Sequence, residues 1–189
     1  MISADVFRDQ PTLTGPRVRL EPMGPQHFDG LWPMTSDPEG RRLTGTQQEF
    51  TEADIRRWLA TRADQHDRAD WVIVRRDDDQ VLGEVVLNDL DERNASIAFR
   101  ISLTGPAVFG HGYGTEATRL VVDHAFDVGL HRIHLEVFDF NPRAQRVYEK
   151  CGFVREGVLR DALYWDGEWH DAIAMAILST DPRQPSPAS

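Results

Sequence analysis

A run of alternating glycines, Gly110-His111-Gly112-Tyr113-Gly114, constrains this chain more than any other feature of its sequence. The run lies between a predicted strand and a predicted helix. Glycine adopts positive φ angles without strain and lets the backbone approach a ligand closely. The first N–H groups of a helix have no partners within the helix and lie at the positive end of its dipole. A strand, a glycine turn and a helix in this order therefore predict a cradle for a pyrophosphate group.

The run differs from two common phosphate-binding motifs. No Lys-Ser or Lys-Thr pair follows it, so it is not a P-loop. The dinucleotide fingerprint G-x-G-x-x-G is absent because Gly114 comes one residue too early, and the run follows a predicted antiparallel meander rather than opening a βαβ unit. These differences argue against a nicotinamide-dependent dehydrogenase. A turn that binds nothing is the alternative that the run alone leaves open.

The periodicity of the remaining chain predicts one α/β (α+β) domain. A meander comes first, then a strand–helix–strand–helix segment, then a hairpin at Asp166-Gly167. This order predicts a central twisted sheet with helices packed on it. The predicted strands are 17–20, 71–74, 81–87, 96–101, 133–138, 158–165 and 169–178, and the predicted helices are 25–35, one that opens at Thr51, 115–128 and 141–151.

Composition limits the class of protein. The 189 residues fit one domain, expected over 1–180, with a disordered Pro- and Ser-rich tail over 181–189. The net charge of −10 gives no support for nucleic-acid binding. No apolar stretch approaches the roughly 20 residues that span a bilayer, and the first residues lack the pattern of a signal peptide. With one cysteine, Cys151, these features predict a cytoplasmic protein without a membrane partner.

A second motif occupies residues 141–153 and reads Asn-Pro-Arg-Ala-Gln-Arg-Val-Tyr-Glu-Lys-Cys-Gly-Phe. Together with the glycine run, it resembles the GNAT superfamily of N-acetyltransferases. Within that superfamily the chain is similar to the RimJ/RimL-type branch, named for enzymes that acetylate the N-termini of ribosomal proteins. The resemblance covers residues 13–178. It implies a mixed, mostly antiparallel sheet with helices on both faces, splayed open between the strands around Phe99 and Val137 to hold acetyl-CoA.

The resemblance also implies which residues contact acetyl-CoA, the expected co-substrate. Phe109 departs from the family pattern, which often has Gln or Arg there, but binding through backbone N–H groups does not need that side chain. His111 either adds positive charge when protonated or is an exposed loop residue. Asn141 caps its helix and, by resemblance, touches the pantetheine arm. The implied cofactor-binding residues are Ile101, Leu103, Phe109, Gly110, His111, Gly112, Tyr113, Gly114, Thr115, Asn141, Arg143 and Ala144.

Tyr148 matches the family tyrosine that is proposed to protonate the departing CoA thiolate. It shares a helical face with Val147 and Cys151, so a packed core tyrosine is the alternative. Proton transfer from a phenol of pKa about 10 to a thiolate whose acid has a pKa of about 8.5 costs about 2 kcal/mol. Hydrogen bonding to the developing charge offsets that cost. Cys151 itself is interpreted as a buried small hydrophobe rather than an acyl carrier.

The general base is less evident. Direct attack needs a neutral amine, so a base must take a proton. Many relatives carry a glutamate in a pattern like E-I-G-Y, but the matching stretch here begins with Ser96, and a serine is no comparable base. Since an α-amine has a pKa of about 8 and a lysine about 10.4, this favours α-amine acceptors. The candidate bases are Glu84, Asp89, Glu136, His170 and Asp171, of which Glu84 is preferred because it follows Gly83 at mid-strand.

The predicted function is transfer of an acetyl group from acetyl-CoA to a primary amine, by direct attack in a ternary complex. The acceptor is a protein N-terminus or a small molecule, and a homodimer is expected by resemblance. One alternative is an inactive acyl-CoA-binding sensor, consistent with Ser96, and another is a structural protein whose glycine run is only a turn. His131 and His134 lie three residues apart on a strand and face opposite sides, so no metal site is predicted.

Overall fold

The structure, a computed structural model, describes residues 2–182. Its strands form one sheet in the order β1-β2-β3-β4-β5-β6-β8-β7. The strands are β1 (Leu13–Thr14), β2 (Val18–Pro22), β3 (Ala69–Arg75), β4 (Val81–Asp91), β5 (Ser96–Leu103), β6 (Arg132–Phe138), β7 (Val154–Trp165) and β8 (Glu168–Leu178). The α-helices are α1 (Phe28–Thr35), α2 (Pro38–Thr44), α3 (Glu52–Ala60), α4 (Tyr113–Asp127) and α5 (Pro142–Lys150). None of these helices is long and apolar enough to cross a bilayer.

The sheet is antiparallel except between β5 and β6. Those two strands run parallel and pair over a short stretch, from Ser96 opposite Arg132 to Ala98 opposite His134. Beyond Ala98 the strands no longer pair, while β6 remains paired with β8 as far as Phe138. The sheet therefore opens into a V between β5 and β6, and the mixed, mostly antiparallel, splayed sheet is confirmed.

Helices cover both faces of the sheet because its central strands are apolar on both sides. On one face, α4 turns Ala117, Val121 and Ala125 into the larger core, at the three-to-four-residue spacing of a helix stripe. On the other face, α1 and α3 pack against β3, with Leu31 and Leu59 among the buried residues of a separate cluster. The larger core includes residues of both β5 and β6, on either side of the V-shaped opening.

Several element boundaries differ from the predictions. Helix α4 begins at Tyr113 rather than 115, because Gly112 takes a φ of 81° and forms the N-cap. Helix α2 was not predicted, although Asp37 caps it by accepting a hydrogen bond from the Gly40 N–H at 2.7 Å. The stretch 25–35 begins with a 3₁₀ turn at Pro25–His27 before α1, and β7 starts four residues earlier than predicted. Of the predicted disordered tail, 183–189 lies outside the described residues.

Candidate active site

A cleft passes through the sheet where β5 and β6 separate. It encloses a cavity of about 310 Å³, bounded by residues 99–103 of β5 and 136–138 of β6. Helix α5 lines it from one face of the sheet and α2 from the other, through Leu43 and Thr44. A second cavity of about 560 Å³ lies on the face covered by α1–α3. Arg100 and Ser102 line both cavities, so the two adjoin at β5.

The glycine run adjoins the first cavity, which it lines through Gly114. Gly110 and Gly112 have φ angles of 79° and 81°, a region that favours glycine. A Cβ at Gly112 would lie 2.9 Å from Nη2 of Arg17. No side chain caps the first turn of α4, so its N–H groups point out of the helix at the positive end of the dipole. This backbone cradle fits the pyrophosphate of a CoA molecule.

A buried carboxylate fixes the start of α4 to β2. Glu116 is 7% exposed and accepts hydrogen bonds from the N–H groups of Arg17 and Val18 at 2.8 and 2.9 Å. The Arg17 guanidinium donates to the same carboxylate at 3.1 Å and to the carbonyl oxygen of His111 at 2.6 Å. Because charge-assisted hydrogen bonds are the stronger kind, these contacts hold the glycine run in place. No local pattern in the sequence predicts this pair, whose members are 99 residues apart.

Tyr148 lies on α5 and lines the first cavity. Its ring packs edge-on against Phe99, with centroids 6.1 Å apart, and against Phe153 at 5.8 Å. Burial raises the pKa of Tyr148 well above the usual value for a phenol. Among residues 2–182, no group forms a hydrogen bond with its hydroxyl. The side chain is both a core residue and a neutral donor beside the cleft, so the two interpretations of the sequence are compatible.

Glu84 lies on β4 opposite Ser102 and lines the second cavity. Its side chain is 12% exposed, and its Oε1 is 3.7 Å from Nη2 of Arg100. Burial raises the pKa of Glu84, although the nearby arginines oppose this shift. Of the other candidate bases, Glu136 is exposed and lines the first cavity, whereas Asp89, His170 and Asp171 line neither cavity. A carboxylate of raised pKa therefore lies beside the strand that divides the two cavities.

Comparison with known proteins agrees with this geometry. Residues 17–154 match the family model described as "Acetyltransferase (GNAT) domain". This chain belongs to the GNAT acetyltransferase family.

Individual relatives match part of the GNAT domain. The probable N-acetyltransferase YjcK of Bacillus subtilis is 40% identical over 108 residues, which are 57% of this chain and 60% of YjcK. The spermidine N(1)-acetyltransferase of Vibrio cholerae is 32% identical over 117 residues, 61% of this chain and 67% of that protein. The matched segment thus spans less than two thirds of YjcK.

A solved structure extends the likeness in fold to nearly the whole chain. The spermidine N-acetyltransferase from Vibrio cholerae, in complex with CoA and spermine, superimposes with a TM-score of 0.78. The superposition covers 87% of this chain and 96% of that one, at 22% sequence identity. At this identity the likeness concerns the fold alone.

The cleft of this GNAT domain brings together many of the residues implied for acetyl-CoA. Those that line the first cavity are Ile101, Leu103, Phe109, Gly114, Asn141, Arg143 and Ala144. Gly110, His111, Gly112, Tyr113 and Thr115 lie in the adjoining turn and the first turn of α4, outside the lining of both cavities. The Arg143 guanidinium stacks over the Phe109 ring at 3.7 Å from its centroid. Phe109, the departure from the family pattern, is therefore a platform for a cation.

Asn141 forms the predicted cap of α5. Its Oδ1 accepts a hydrogen bond from the N–H of Ala144 at 3.1 Å, with Pro142 at the first helical position. The capping interpretation is confirmed, and contact with the pantetheine arm stays a prediction. At the opposite end of α5, burial raises the pKa of the Cys151 thiol to about 11. A thiol of that pKa is protonated at neutral pH, which agrees with its interpretation as a small hydrophobe.

Ser96 lies outside both cavities. It begins β5, opposite Asp91 and Arg132, and its side chain lies against His134, with Oγ 3.4 Å from Nδ1. His131 instead contacts the Ser179 hydroxyl at 2.9 Å. In the part of the chain that the structure describes, no three His, Cys, Asp or Glu side chains gather as a metal site.

The arginines of the second cavity are the functional candidates that the sequence did not reveal. Arg41 comes from α2, Arg57 from α3, Arg68 from the segment before β3, and Arg100 from β5. In the sequence, the residues around each of the four arginines do not distinguish it from an ordinary surface arginine. Only the packing of α2 and α3 against β4 and β5 places the four around one volume.

Proposed function

We propose that this chain is an N-acetyltransferase that moves the acetyl group of acetyl-CoA to a primary amine in a ternary complex. The observation that carries this proposal is the cleft through the sheet. A thioester that enters beside α4 and α5 meets an amine that enters beside α1–α3 at Arg100 and Ser102. Two reactants held at one point from opposite faces react without a covalent enzyme intermediate. The names of the relatives, all N-acetyltransferases, support the same reaction.

Each part of the site has a role in this reaction. The glycine run and the first turn of α4 hold the pyrophosphate through backbone N–H groups. The β5 backbone at Ile101–Leu103, unpaired on its β6 side, orients the pantetheine arm and the acetyl carbonyl. Donors aimed at that carbonyl stabilise the oxyanion that forms during attack.

Glu84 accepts a proton from the amine nitrogen, whose lone pair forms the new bond to the acetyl carbon. The C–S bond then breaks, and its electron pair remains on sulfur. Tyr148 donates its hydroxyl hydrogen bond to the sulfur as the charge develops. Because burial raises the pKa of Tyr148, complete proton transfer from the phenol is less favourable than the sequence predicted. The sulfur instead leaves as a thiolate that accepts a hydrogen bond from the Tyr148 hydroxyl, and solvent later supplies the proton that makes it a thiol.

The acceptor amine belongs to this proposal as a class, either a protein N-terminus or a small molecule. The spermidine acetyltransferase among the relatives adds polyamines as one kind of small-molecule acceptor. The RimJ/RimL-type branch, a homodimer and a cytoplasmic location stay predictions from the sequence.

Calorimetric titration with acetyl-CoA, with NADH as control, tests the proposal, followed by thiol release in the presence of a panel of amines. We expect saturable one-to-one binding of acetyl-CoA, none of NADH, and thiol release with at least one amine. A folded sample that does not bind acetyl-CoA refutes the proposal. Binding without thiol release on any amine would instead favour the inactive sensor.

A further inference from the structure

The second cavity carries a surplus of positive charge. Four arginines line it, Arg41, Arg57, Arg68 and Arg100, against two carboxylates, Asp54 and Glu84. The formal surplus is two positive charges, in a chain whose net charge is −10. An acidic protein that concentrates arginines around one cavity favours a ligand that carries negative charge.

Two of the four arginines are neutralised by close partners. Arg57 donates to Asp54 at 2.5 Å. Arg68 forms a bidentate pair with the buried Asp70, with both distances at 2.7 Å. Bidentate pairs of this kind occupy the planar donor edge of the guanidinium. With Arg57 paired to Asp54 and Arg68 paired to Asp70, the charges left around the cavity are those of Arg41 and Arg100 against Glu84, a surplus of one positive charge.

Arg41 retains most of its charge. It donates to the carbonyl oxygens of Thr46 and Gln47 at 3.2 and 2.9 Å, and these acceptors are neutral. The nearest carboxylate is that of Glu49, at 3.9 Å and 89% exposed. The pair is weak because water and salt screen the exposed Glu49 carboxylate, although the Arg41 side chain itself is only 23% exposed. Arg41 is held in place by backbone carbonyl groups and lines the second cavity.

Of the four arginines that line the second cavity, only Arg100 also lines the first. Its contact with Glu84 is 3.7 Å long, beyond hydrogen-bond distance. Its side chain is 54% exposed, and within residues 2–182 no closer acceptor engages it. The planar donor fork of its guanidinium is therefore available to a ligand.

From this arrangement we infer that the acceptor is a primary amine with a carboxylate a few bonds from the nitrogen. Its ammonium group takes the place of Arg100 beside Glu84, and its carboxylate receives the guanidinium of Arg100. Arg41 adds positive potential at the far side of the cavity. This inference rests on the proposed function and names the acceptor class of the same site. A polyamine carries only positive charges, so the surplus positive charge of the cavity repels it. In this respect the inferred acceptor differs from spermidine, which the names of two relatives mention.

Two kinds of acceptor carry this chemistry, and the experiment separates them. One arm titrates the protein–CoA complex with the standard amino acids and with their α-carboxamides. The other arm uses peptide amides that differ in having Glu or Gln as their second residue. Spermidine is measured in parallel. We expect the carboxylate compound of at least one matched pair to bind at least about tenfold more tightly than its amide.

Arg100→Gln should abolish this difference between carboxylate and amide. Arg56→Gln is the matched control, because Arg56 also lies 3.7 Å from a glutamate, Glu52, is 58% exposed, and lines neither cavity. Both changes remove one positive charge. Arg56 also stacks over the Phe28 ring at 3.5 Å from its centroid, so the stability of Arg56→Gln is measured alongside. We expect Arg56→Gln to keep the full preference for the carboxylate.

Equal binding of carboxylates and amides in both arms overturns the inference, as does a preference for spermidine. Retention of the preference in Arg100→Gln overturns the role of Arg100 and the inference with it. Thiol release with spermidine or amides would still leave the proposed acetyltransferase function intact. Failure of acetyl-CoA to bind would refute that function separately.

Discussion

The two sides of the cleft are built in different ways. On the CoA side, the cradle consists of backbone from one contiguous run, Gly110 to Thr115, together with the capped start of α5 at Asn141. On the acceptor side, the charged side chains of the cavity come from five separate segments of the chain. The first region acts through the conformation of the main chain, and the second acts through charge.

This difference determines what a substitution does on each side. A change on the CoA side acts when it alters φ angles or a cap, because N–H groups do the binding. A change on the acceptor side acts when it removes a charge or a proton acceptor. Variants of the two regions should therefore separate affinity for acetyl-CoA from chemistry and acceptor affinity.

The largest effect should come from Glu84→Gln on the acceptor side. Removal of a general base lowers turnover by about a hundredfold or more. The affinity for acetyl-CoA should stay at the wild-type value, because Glu84 lines the second cavity and not the first. Steady-state kinetics with thiol detection and calorimetry measure the two quantities. Glu136→Gln is the comparison variant, and a larger loss there than in Glu84→Gln would transfer the role to Glu136.

The pH dependence sharpens the same assignment. A base must be deprotonated to act, and burial raises the pKa of Glu84, so turnover should fall on the acid side at a pH above the ordinary glutamate value. Between the unfolded-state pKa of Glu84 and its raised folded-state pKa, the native state binds more protons than the unfolded state. The stability contributed by protonated Glu84 is therefore present below this pH window and is lost as pH rises through it. Glu84→Gln should therefore lack the acid limb and unfold no more easily than wild type at neutral pH. An unchanged acid limb in the variant would contradict the assignment.

The next largest effect should come from Tyr148→Phe. Loss of one donor to the departing sulfur should lower turnover by at least about tenfold, with acetyl-CoA affinity unchanged. The free energy of unfolding should change little, because the ring packs between Phe99 and Phe153 and the hydroxyl has no partner in the described chain. Kinetics, calorimetry and urea denaturation check the three expectations. Unchanged turnover would leave Tyr148 as a core residue alone.

The sequence predicted the CoA side well because its chemistry is local. Alternating glycines and an Asn-Pro pair each have a conformational meaning within a few residues, and the structure puts the turn and the cap where those residues occur. The antiparallel meander followed from the order of strands and turns, whereas the splayed, mixed sheet was implied by the family resemblance. Whether the cradle holds a CoA molecule stays a prediction that the binding experiment tests.

On the acceptor side, the sequence singled out Glu84 but not the four arginines, because no local pattern encodes them. The pairing of Arg68 with Asp70 looks like ordinary surface charge until β3 buries the aspartate. Helix α2 has a cap signal in Asp37-Pro38, equivalent to that of Asn141-Pro142, but its seven residues are too few for an apolar stripe to show. Since α2 supplies Arg41, the helix that was not predicted carries one of the arginines that produce the charge surplus.

On the CoA side, Gly112→Ala should weaken acetyl-CoA binding by about tenfold, since a non-glycine residue in the left-handed region costs about 1–2 kcal/mol. At this position, the added Cβ also meets Nη2 of Arg17 at 2.9 Å. Gly110→Ala is the control, because it has a similar φ of 79° with no atom within 4 Å of the added Cβ. A smaller loss in Gly110→Ala would assign the difference to the Arg17 contact. Full affinity in both variants would show that the run is only a turn.

The smallest effect should come from Asn141, where a pair of substitutions separates the cap from ligand contact. Asn141→Ala removes the acceptor for the Ala144 N–H, seen at 3.1 Å, and should lower the free energy of unfolding by about 1 kcal/mol. Asn141→Asp keeps a capping oxygen and should keep the stability, but it loses the amide donor. If the amide also contacts the pantetheine arm, both variants should bind acetyl-CoA more weakly. If Asn141→Asp binds it as wild type does, Asn141 acts only through the helix, and the CoA side depends on backbone groups alone.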